Sequence, residues 1–236
     1  MAKDELNQLL GGWEGYQLGT VERLRPENAE GVPSPEDGIW IELIPNPKRE
    51  KRCSGCGESV SELHDSQERW IRDLPIFETT TWLCVQRCRV KCPKCGPKLE
   101  QLEWLGRYSR VTRRLAESVA RMCKLLPIKH VADYFGLHWS TVKSIDKAYL
   151  QEQLGPIDLA NIEQIVMDEF AIQKGHRYAT VIVEPSTKRV LWVGRGRGRK
   201  DVRPFFELLG KQGRQQLKAV AIDMNGAYEE EVRYQC

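Results

Sequence analysis

The amino-acid sequence predicts an α+β protein of several domains, and three observations support this. Two Cys-X-X-Cys pairs, at 53–56 and 92–95, lie among stretches that alternate like strands. A helical stretch with an excess of basic residues covers 107–150. After 156 the pattern changes to four strand candidates, with one helix candidate before the last of them. The expected domains are an N-terminal β region at 1–50, a zinc ribbon at 51–104, a helix-turn-helix domain at 105–155 and a partial α/β domain at 156–236.

The composition is ordinary for a globular protein, since 41% of the 236 residues are hydrophobic and 29% are charged. No apolar run approaches the roughly 20 residues that span a membrane. The N-terminus also lacks the basic and apolar regions of a signal peptide. We therefore expect a cytoplasmic protein without a membrane partner, in which the eight cysteines bind metal instead of forming disulfides.

The N-terminal 50 residues contain two strand candidates, YQLGTVERL and IWIELI, separated by the turn-rich stretch RPENAEGVPSPEDG. This arrangement predicts a β hairpin with a long loop. Gly155 and Pro156, in QEQLGPID, mark a linker between the helical stretch and the later strands.

The two cysteine pairs have the spacing of zinc knuckles. Two residues between the thiolates let one tight turn present both sulfurs to one ion, and the glycine after each pair accommodates unusual backbone angles. Two knuckles complete the closed tetrahedral site of structural zinc. The predicted zinc ligands are Cys53, Cys56, Cys92 and Cys95.

The remaining candidates for metal binding are weaker. Cys84 and Cys88 lie on one face of the alternating stretch TTTWLCVQRCRVKC, where Cys88 is an alternative ligand but two small buried residues are the simpler interpretation. Cys123, on a predicted helix, is expected to be a core thiol. His64 is a further alternative ligand, although both knuckles are complete without it.

The stretch IKHVADYFGLHWSTVKSIDK follows the spacing of a helix-turn-helix. Ala132 is small where the two helices cross, and Gly136 lies in the turn that requires a positive φ. The apolar positions that hold the helices together are Val131, Phe135, Leu137, Val142 and Ile145. A helical hairpin used only for packing or dimerisation is the alternative.

The residues around this motif suit a DNA contact. The block 107–150 contains nine basic residues and three acids, a net charge of +6, which is typical of a nucleic-acid-binding module, although a solvated charged face is the alternative. The predicted DNA-contacting residues are Arg107, Arg110, Arg113, Arg114, Ser140, Thr141, Lys143, Ser144 and Lys147. Trp139 is interpreted either as a base or sugar contact or as a half-buried anchor.

Two apolar strands each end in an aspartate, Asp168 after Met167 and Asp223 after Ile222. Carboxylates on rigid strand ends are the hard oxygen ligands that Mg²⁺ binds together with a substrate phosphate. Aspartates at strand ends are also common turn formers and helix caps. Three strands, a helix and a fourth strand in this order match the start of a ribonuclease-H-like fold, in which the first and fourth strands are neighbours. We therefore expect the two acids to lie together.

Other charged residues near these strands are expected to have different roles. Glu169 is predicted to point to the opposite strand face from Asp168. Glu229, Glu230 and Glu231 are interpreted as the exposed start of the next helix, and Asp201 as a helix cap. The basic stretch GRGRGRK, at 194–200, is expected either to contact a DNA backbone or to be a solvated loop.

The order of these segments resembles the ISL-three family of bacterial insertion-sequence transposases. The similar segments are CSGCG, CPKCG, LHDSQERWIRDLP, the helix-turn-helix, MDEFAIQKGHRYATVIVE and VAIDMNGAY. The resemblance spans nearly the whole chain from about residue 40, and MDEFAIQKGHRY is its most specific part.

The resemblance implies a DDE catalytic site in which Asp168 and Asp223 bind Mg²⁺ or Mn²⁺ and take part in cleaving and joining DNA strands. The family's glutamate should lie well downstream of the second aspartate, so we expect a chain truncated before the third acid. The implied partner is double-stranded DNA at terminal inverted repeats, in the nucleoid, with a second copy or a full-length transposase as candidate protein partner. The alternative is a catalytically inactive, zinc-dependent DNA-binding protein or regulator derived from a transposase.

Overall fold

The structure is a computed structural model of the 236-residue chain. It forms two compact units, residues 1–153 and Leu154–Cys236, and the boundary adjoins the linker predicted at Gly155 and Pro156. Neither unit has a described helix that is both long enough and apolar enough to cross a membrane. The structure describes residues 9–24, 38–106, 109–175 and 177–236.

A six-stranded sheet dominates the first unit. Its strands are β1 (Tyr16–Leu24), β2 (Gly38–Pro45), β3 (Arg52–Cys53), β4 (Leu63–Ile76), β5 (Thr79–Cys92) and β6 (Gly96–Gln101). The order is β1-β2-β5-β6-β3, and β4 pairs with the other edge of β5. The predicted antiparallel pairing of β1 with β2 is confirmed, whereas the loop expected at 25–37 lies outside the described residues.

The long strand β5 joins two segments that the sequence analysis treated as separate domains. Its first half pairs in parallel with β2, and its second half pairs antiparallel with β6. Leu83 and Val85 of β5 pack in one core with Ile41 and Leu43 of β2, because alternate residues of paired strands share a face. The N-terminal β region therefore belongs to the same sheet as the cysteine segment.

Three helices whose bounds lie within the described residues follow the sheet: α1 (Arg113–Cys123), α2 (Ile128–Phe135) and α3 (Trp139–Leu154). Ala132 is buried where α2 packs on its neighbours, and Gly136 ends α2 with φ 57°, so both features of the predicted turn are confirmed. The predicted apolar contacts are also confirmed. The core of this helical segment consists of Val111, Leu115, Val119, Val131, Ala132, Phe135 and Val142, with Leu137 and Ile145 packed against it.

Asp73 of β4 anchors these helices to the sheet. Its fully buried carboxylate accepts hydrogen bonds from Thr112 Oγ1 at 2.6 Å, Trp13 Nε1 at 3.0 Å and Arg114 Nε at 2.7 Å. Thr112 is the N-cap of α1, and Arg114 also donates to the carbonyl of Leu10 at 2.9 Å. One buried acid thus connects the N-terminal segment, β4 and α1, with its charge compensated by the arginine.

The second unit contains a four-stranded sheet and two helices. The elements are β7 (Gln164–Gln173), β8 (Arg177–Glu184), β9 (Arg189–Arg195), α4 (Arg199–Gln216), β10 (Ala219–Ile222) and α5 (Gly226–Gln235). The sheet order is β10-β7-β8-β9, in which only β10 and β7 run parallel. This confirms the predicted start of a ribonuclease-H-like fold, with its first and fourth strands side by side.

The core of this unit lies between the sheet and the helices. Apolar side chains of β7, β8 and β9 pack against Phe205 and Phe206 of α4 and against Tyr228 of α5. Asp201 accepts a hydrogen bond from Gly198 N at 2.8 Å, which confirms its predicted role at the start of α4. Gly210, with φ 69°, interrupts the regular helix, a conformation that costs glycine little.

Candidate functional site

The four predicted zinc ligands lie close together. The Sγ atoms of the cysteine tetrad, Cys53, Cys56, Cys92 and Cys95, are all within 4.8 Å of one another. The Sγ atoms of Cys56 and Cys92 are 3.6 Å apart. Four sulfurs around one Zn²⁺ at a Zn–S distance of ~2.3 Å would be ~3.8 Å apart, so this donor set fits a tetrahedral zinc ion.

Backbone turns shape the cysteine tetrad. Gly55 N donates to Cys53 Sγ at 3.3 Å, and Gly57 N donates to the carbonyl of Cys53 at 2.8 Å. The glycines that follow the two pairs, Gly57 and Gly96, have φ values of 76° and 69°, as the sequence predicted. Each Cys-X-X-Cys pair is therefore one tight turn that presents two sulfurs in the same direction.

Hydrogen bonding within the tetrad gives its thiols unequal acidity. Burial raises the pKa of Cys53, but N–H groups of Cys56 and Gly55 outweigh it and lower the pKa to about 7. A hydrogen bond with Cys56 raises the pKa of Cys95 to about 12. Since zinc binds thiolates, a divalent cation is needed to keep all four sulfurs deprotonated together.

The other cysteines lie outside the tetrad. Cys84 and Cys88 are buried, and burial raises the pKa of Cys84 to about 11, so their interpretation as small core residues holds. Cys123 is partly buried against the helical core, and His64 is exposed. In the described part of the chain, the tetrad is the only group of three or more His, Cys, Asp or Glu residues arranged to hold one metal ion.

Helix α3 carries its predicted DNA-contacting residues toward solvent. Ser140, Lys143, Ser144 and Lys147 are exposed, and Thr141 is half-buried, while Val142 on the opposite side is fully buried in the core. Trp139 has 54% of its surface exposed, so it is half-buried and both interpretations stay open. The second helix of the motif therefore offers hydroxyl and ammonium groups on one outer face.

The predicted arginines differ from one another in their contacts. Arg110 and Arg113 are exposed and line a groove together with Thr141 and Ser144 of α3. Arg114 differs from the prediction, because its guanidinium is bound to Asp73 and to backbone carbonyls, and it is therefore a structural residue. Arg107 lies outside the described residues.

Several surface cations of the cysteine segment are paired with acids, whereas most cations of the helical segment are not. Lys91 lies 2.7 Å from Glu62, and Lys94, Arg89 and Arg52 contact Glu58, Asp65 and Glu50. The cations of the helical segment with no carboxylate within 4.0 Å among the described residues are Arg110, Arg113, Lys124, Lys129, Lys143 and Lys147, whereas Arg114 and Arg121 are paired. The helical segment thus keeps positive charge available to an anionic partner.

The two predicted catalytic aspartates follow directly paired residues of neighbouring strands. Ile222 of β10 pairs with Met167 of β7 in a parallel ladder, so Asp223 and Asp168 occupy neighbouring positions. The prediction that Asp168 ends its strand is wrong, because β7 continues to Gln173 through its pairing with β8. Both aspartates are exposed. Asp168 accepts a hydrogen bond from Glu169 N at 2.7 Å, and Asp223 accepts one from Met224 N at 2.7 Å. Two adjacent carboxylates suit the oxygen preference of Mg²⁺ or Mn²⁺ and fit two ligands of such a site.

No other described acid completes this pair as a third metal ligand. Glu169 accepts hydrogen bonds from Arg197 and Asn225, and Glu229 and Glu230 are exposed on α5. The expectation that Glu231 is exposed is wrong, because Glu231 is fully buried.

Glu231 binds the arginines of α4. It accepts from Arg203 Nε at 3.0 Å and from Arg199 Nε at 3.2 Å. The hydrogen bond from Arg203 is the main cause that lowers the pKa of Glu231 to about 2. The error arose because the sequence predicts that helix α5 exists but not which of its faces packs on α4.

Two arginines of the stretch GRGRGRK, Arg197 and Arg199, have partners within the second unit. Arg197 pairs with Glu169 and lies 4.1 Å from the ring centre of Tyr178, and Arg199 binds Glu230 and Glu231. These arginines stabilise the second unit from within it.

A four-cysteine ribbon, a helix-turn-helix and a ribonuclease-H-like sheet with paired aspartates define a multidomain architecture of the DDE transposase class. Family models match most of the chain and agree with this architecture. A transposase family model matches residues 165–236, the helix-turn-helix domain of transposase family ISL3 matches 100–150, and the zinc finger of the IS204/IS1001/IS1096/IS1165 transposases matches 49–95.

Individual relatives give the same result. The chain is 45% identical to the transposase for insertion sequence element IS1001 of Bordetella parapertussis, over 99% of this chain and 55% of the relative. It is 27% identical to the transposase for IS1557 of Mycobacterium tuberculosis, over 73% of this chain and 39% of the relative. The chain thus spans about half the length, or less, of these curated relatives. It belongs to the ISL3 family of transposases.

Proposed function

We propose that this chain acts in DNA transposition, binding insertion-sequence ends through its helix-turn-helix and contributing Asp168 and Asp223 to a metal-dependent strand-transfer site. The observation that carries this proposal is the parallel pairing of β7 with β10, which brings together two acids 55 residues apart in sequence. An exposed pair of carboxylates on rigid strands is a chemical arrangement that a phosphodiester-cleaving site requires.

The DNA-binding part of the proposal is supported by the unpaired cations of the helical segment. Helix α3 would lie in a major groove, where Ser140, Ser144 and Thr141 reach base edges and Lys143 and Lys147 contact phosphates. Arg110 and Arg113 would add phosphate contacts, as would Arg107 on the basis of its sequence position. The proposed ligand is double-stranded DNA at terminal inverted repeats, with a second copy or a longer transposase as protein partner.

The catalytic part of the proposal assigns Asp168 and Asp223 as ligands of Mg²⁺ or Mn²⁺. When bound, such ions activate the attacking hydroxyl and stabilise the leaving oxygen of the phosphodiester. A third carboxylate would complete the site, as the family resemblance implies. The proposed domains are a ribbon at 51–104, a helix-turn-helix at 105–155 and a catalytic segment from 156. A protein that acts on DNA in this way would be located with the nucleoid in the cytoplasm.

Salt-dependent binding tests the DNA-binding part. For a DNA duplex that carries an insertion-sequence end, the logarithm of the binding constant should fall linearly with the logarithm of salt concentration. The double variant Lys143→Ala/Lys147→Ala should reduce this slope by ~0.9 for each lost phosphate contact. Lys91→Ala is the matched control, because that lysine is already paired with Glu62. An equal loss of slope in both proteins would refute an interface on α3.

A second candidate function, DNA binding without catalysis, is favoured by the absence of a third acid beside the aspartates in the described residues. Strand nicking in the presence of Mg²⁺ or Mn²⁺ separates the two functions. Nicking by the wild-type chain that Asp168→Asn abolishes would support catalysis by this chain. Specific binding with no nicking would support the regulator. Asp158→Asn, which changes an exposed aspartate elsewhere in the same unit, is the control.

A further inference from the structure

Glu169 connects the middle of β7, which carries Asp168, to the turn after β10, which carries Asp223. Its carboxylate, with 22% of the side chain exposed, accepts from Arg197 Nη1 at 2.8 Å and from Asn225 Nδ2 at 2.7 Å. Glu169 is the residue after Asp168 on β7, and Asn225 lies two residues after Asp223. The hydrogen bond from Asn225 therefore ties the turn behind one aspartate to the strand that holds the other.

Asn225 in turn fixes the turn to helix α5. Its Oδ1 accepts from Ala227 N at 3.0 Å, which makes Asn225 the N-cap of the helix. Its backbone N–H donates to the carbonyl of Asp223 at 2.6 Å. The ladder between β7 and β10 covers only four residues, so backbone pairing ends just before Asp223. Beyond that point, the side chain of Asn225 is a link from the turn to β7.

The other partner of Glu169 is also held in place. Arg197 stacks over Tyr178 of β8 and follows Gly196, whose carbonyl accepts from Thr180 Oγ1 at 2.8 Å. Thr180 Oγ1 also lies 2.6 Å from the hydroxyl of the fully buried Tyr228. Glu169 thus belongs to a connected polar network in which each group is anchored by another element of the sheet or by α5.

We propose that Glu169 is a positioning residue, which holds the turn after β10 against β7 through Asn225 and so keeps the carboxylates of Asp168 and Asp223 at the separation that a divalent metal requires. The metal itself rests on the proposed function, whereas the link between β7 and the turn after β10 rests on the hydrogen bonds alone. Groups that orient metal ligands typically change metal affinity by ~10–100-fold when removed.

Two variants distinguish positioning from simple charge. Glu169→Gln removes a negative charge near the aspartates, so long-range electrostatics alone would weaken metal binding. Asn225→Asp adds a negative charge, so electrostatics alone would strengthen it. The new aspartate would still cap α5, since Asp and Asn are equally good N-caps. It would nevertheless lose the amide donor and repel Glu169. Positioning therefore predicts that both variants weaken metal binding, and the sign for Asn225→Asp separates the two explanations.

The experiment is a Mn²⁺ titration of the full, zinc-loaded chain, followed by the electron paramagnetic resonance signal of free Mn²⁺. The dissociation constant should rise ~10-fold or more in both variants. The melting temperature reports any general loss of folding. Glu184→Gln is the matched control, because Glu184 is a partly buried acid that pairs with Arg189 on the same sheet. A dissociation constant that falls or stays unchanged in Asn225→Asp would overturn the proposal.

Hydrogen exchange of the metal-free protein provides an independent test. The backbone amides of Met224 and Asn225 should exchange faster in both variants than in the wild type, and unchanged exchange would also overturn the proposal. If the wild-type chain shows no Mn²⁺ binding that Asp168→Asn removes, the proposed metal function fails. In that case the exchange rates still decide whether Glu169 holds the turn.

Discussion

The cysteine tetrad fits a zinc ion and the aspartate pair is proposed to bind Mg²⁺ or Mn²⁺, but the two are built in different ways. Each half of the tetrad comes from one turn of four residues, and all four sulfurs lie within 4.8 Å of one another. The aspartates come from two strands, are exposed, and have no third acid beside them in the described residues. The tetrad is a closed site and the aspartate pair is an open one.

Under the proposed function, this difference separates a metal that stabilises the fold from a metal that takes part in chemistry. A structural zinc site has all its coordination positions filled by protein, so its binding free energy becomes folding free energy. An open carboxylate site leaves positions for substrate and contributes little to stability. The segment around the aspartates must therefore obtain its stability from its core and from internal ion pairs such as that of Glu231.

The largest expected effect follows removal of one zinc ligand. Cys92→Ser should release the zinc and unfold the ribbon, because structural zinc contributes about 10–16 kcal/mol in zinc-finger peptides. Metal analysis and the thermal unfolding curve of the purified protein would show this. Cys84→Ser, at a buried cysteine outside the tetrad, should retain its zinc. Full zinc content in Cys92→Ser would refute the assignment of four ligands.

An intermediate effect is expected for the buried acid of the second unit. Glu231→Gln removes the charge that pairs with Arg199 and Arg203. The lowered pKa corresponds to a stabilisation that we place at about 1–2 kcal/mol, because both arginines are partly exposed and solvent screens the pairs. Chemical denaturation of the wild type and the variant measures it. Glu229→Gln, at an exposed position on the same helix, should change the free energy of unfolding far less.

As the pH falls, we expect the cysteine tetrad to lose its zinc before the second unit unfolds. Glu231 has a folded pKa of about 2, below its ordinary value of 4.5, so its stabilisation is complete above pH 4.5 and is lost as the pH falls toward 2. Protons compete with zinc for the thiolates at higher pH than this. Zinc release, followed with a chromophoric chelator, should therefore precede the loss of hydrogen-exchange protection in β7–β10. Simultaneous release and unfolding would remove the distinction between the two regions.

The smallest effect on stability is expected at the open site. Asp168→Asn should change the free energy of unfolding by less than about 1 kcal/mol, because the side chain is exposed and Asn retains an oxygen that accepts the N–H of Glu169. Mn²⁺ binding should nevertheless be lost. Denaturation and Mn²⁺ titration of the same preparation give both values. A large loss of stability would show that the aspartates support the fold after all.

Predictions from short sequence patterns were confirmed where the responsible forces are local. The two Cys-X-X-Cys turns and the left-handed glycine at Gly136 depend on residues a few positions apart, and the helix-turn-helix core follows from apolar periodicity within successive helices. The prediction that β7 and β10 are neighbours required more than local sequence patterns. They followed from the order of strands and helix, which restricts the topology to few alternatives.

The sequence did not reveal the partners of buried charges. Arg114 was predicted to contact DNA, yet it binds Asp73, which lies 41 residues earlier. Glu231 was predicted to be exposed, yet it is buried against α4. The local sequence around an arginine or a glutamate on a helix is the same whether that face of the helix is exposed to solvent or packed against another element. Only the packing of that helix decides which contact it makes.

By itself the sequence determined the order of the ribbon, the helix-turn-helix and the acid-bearing strands, because cysteine spacing, turn glycines and apolar periodicity act over one or two turns of chain. Only the tertiary structure decided that the N-terminal strands share the sheet of the cysteine segment, that Asp73 anchors α1, and that Glu169 and Asn225 join β7 to the turn after β10. These contacts connect residues between 39 and 56 positions apart. At such separations the burial of charge and the pairing of strands, not local preference, select the partner.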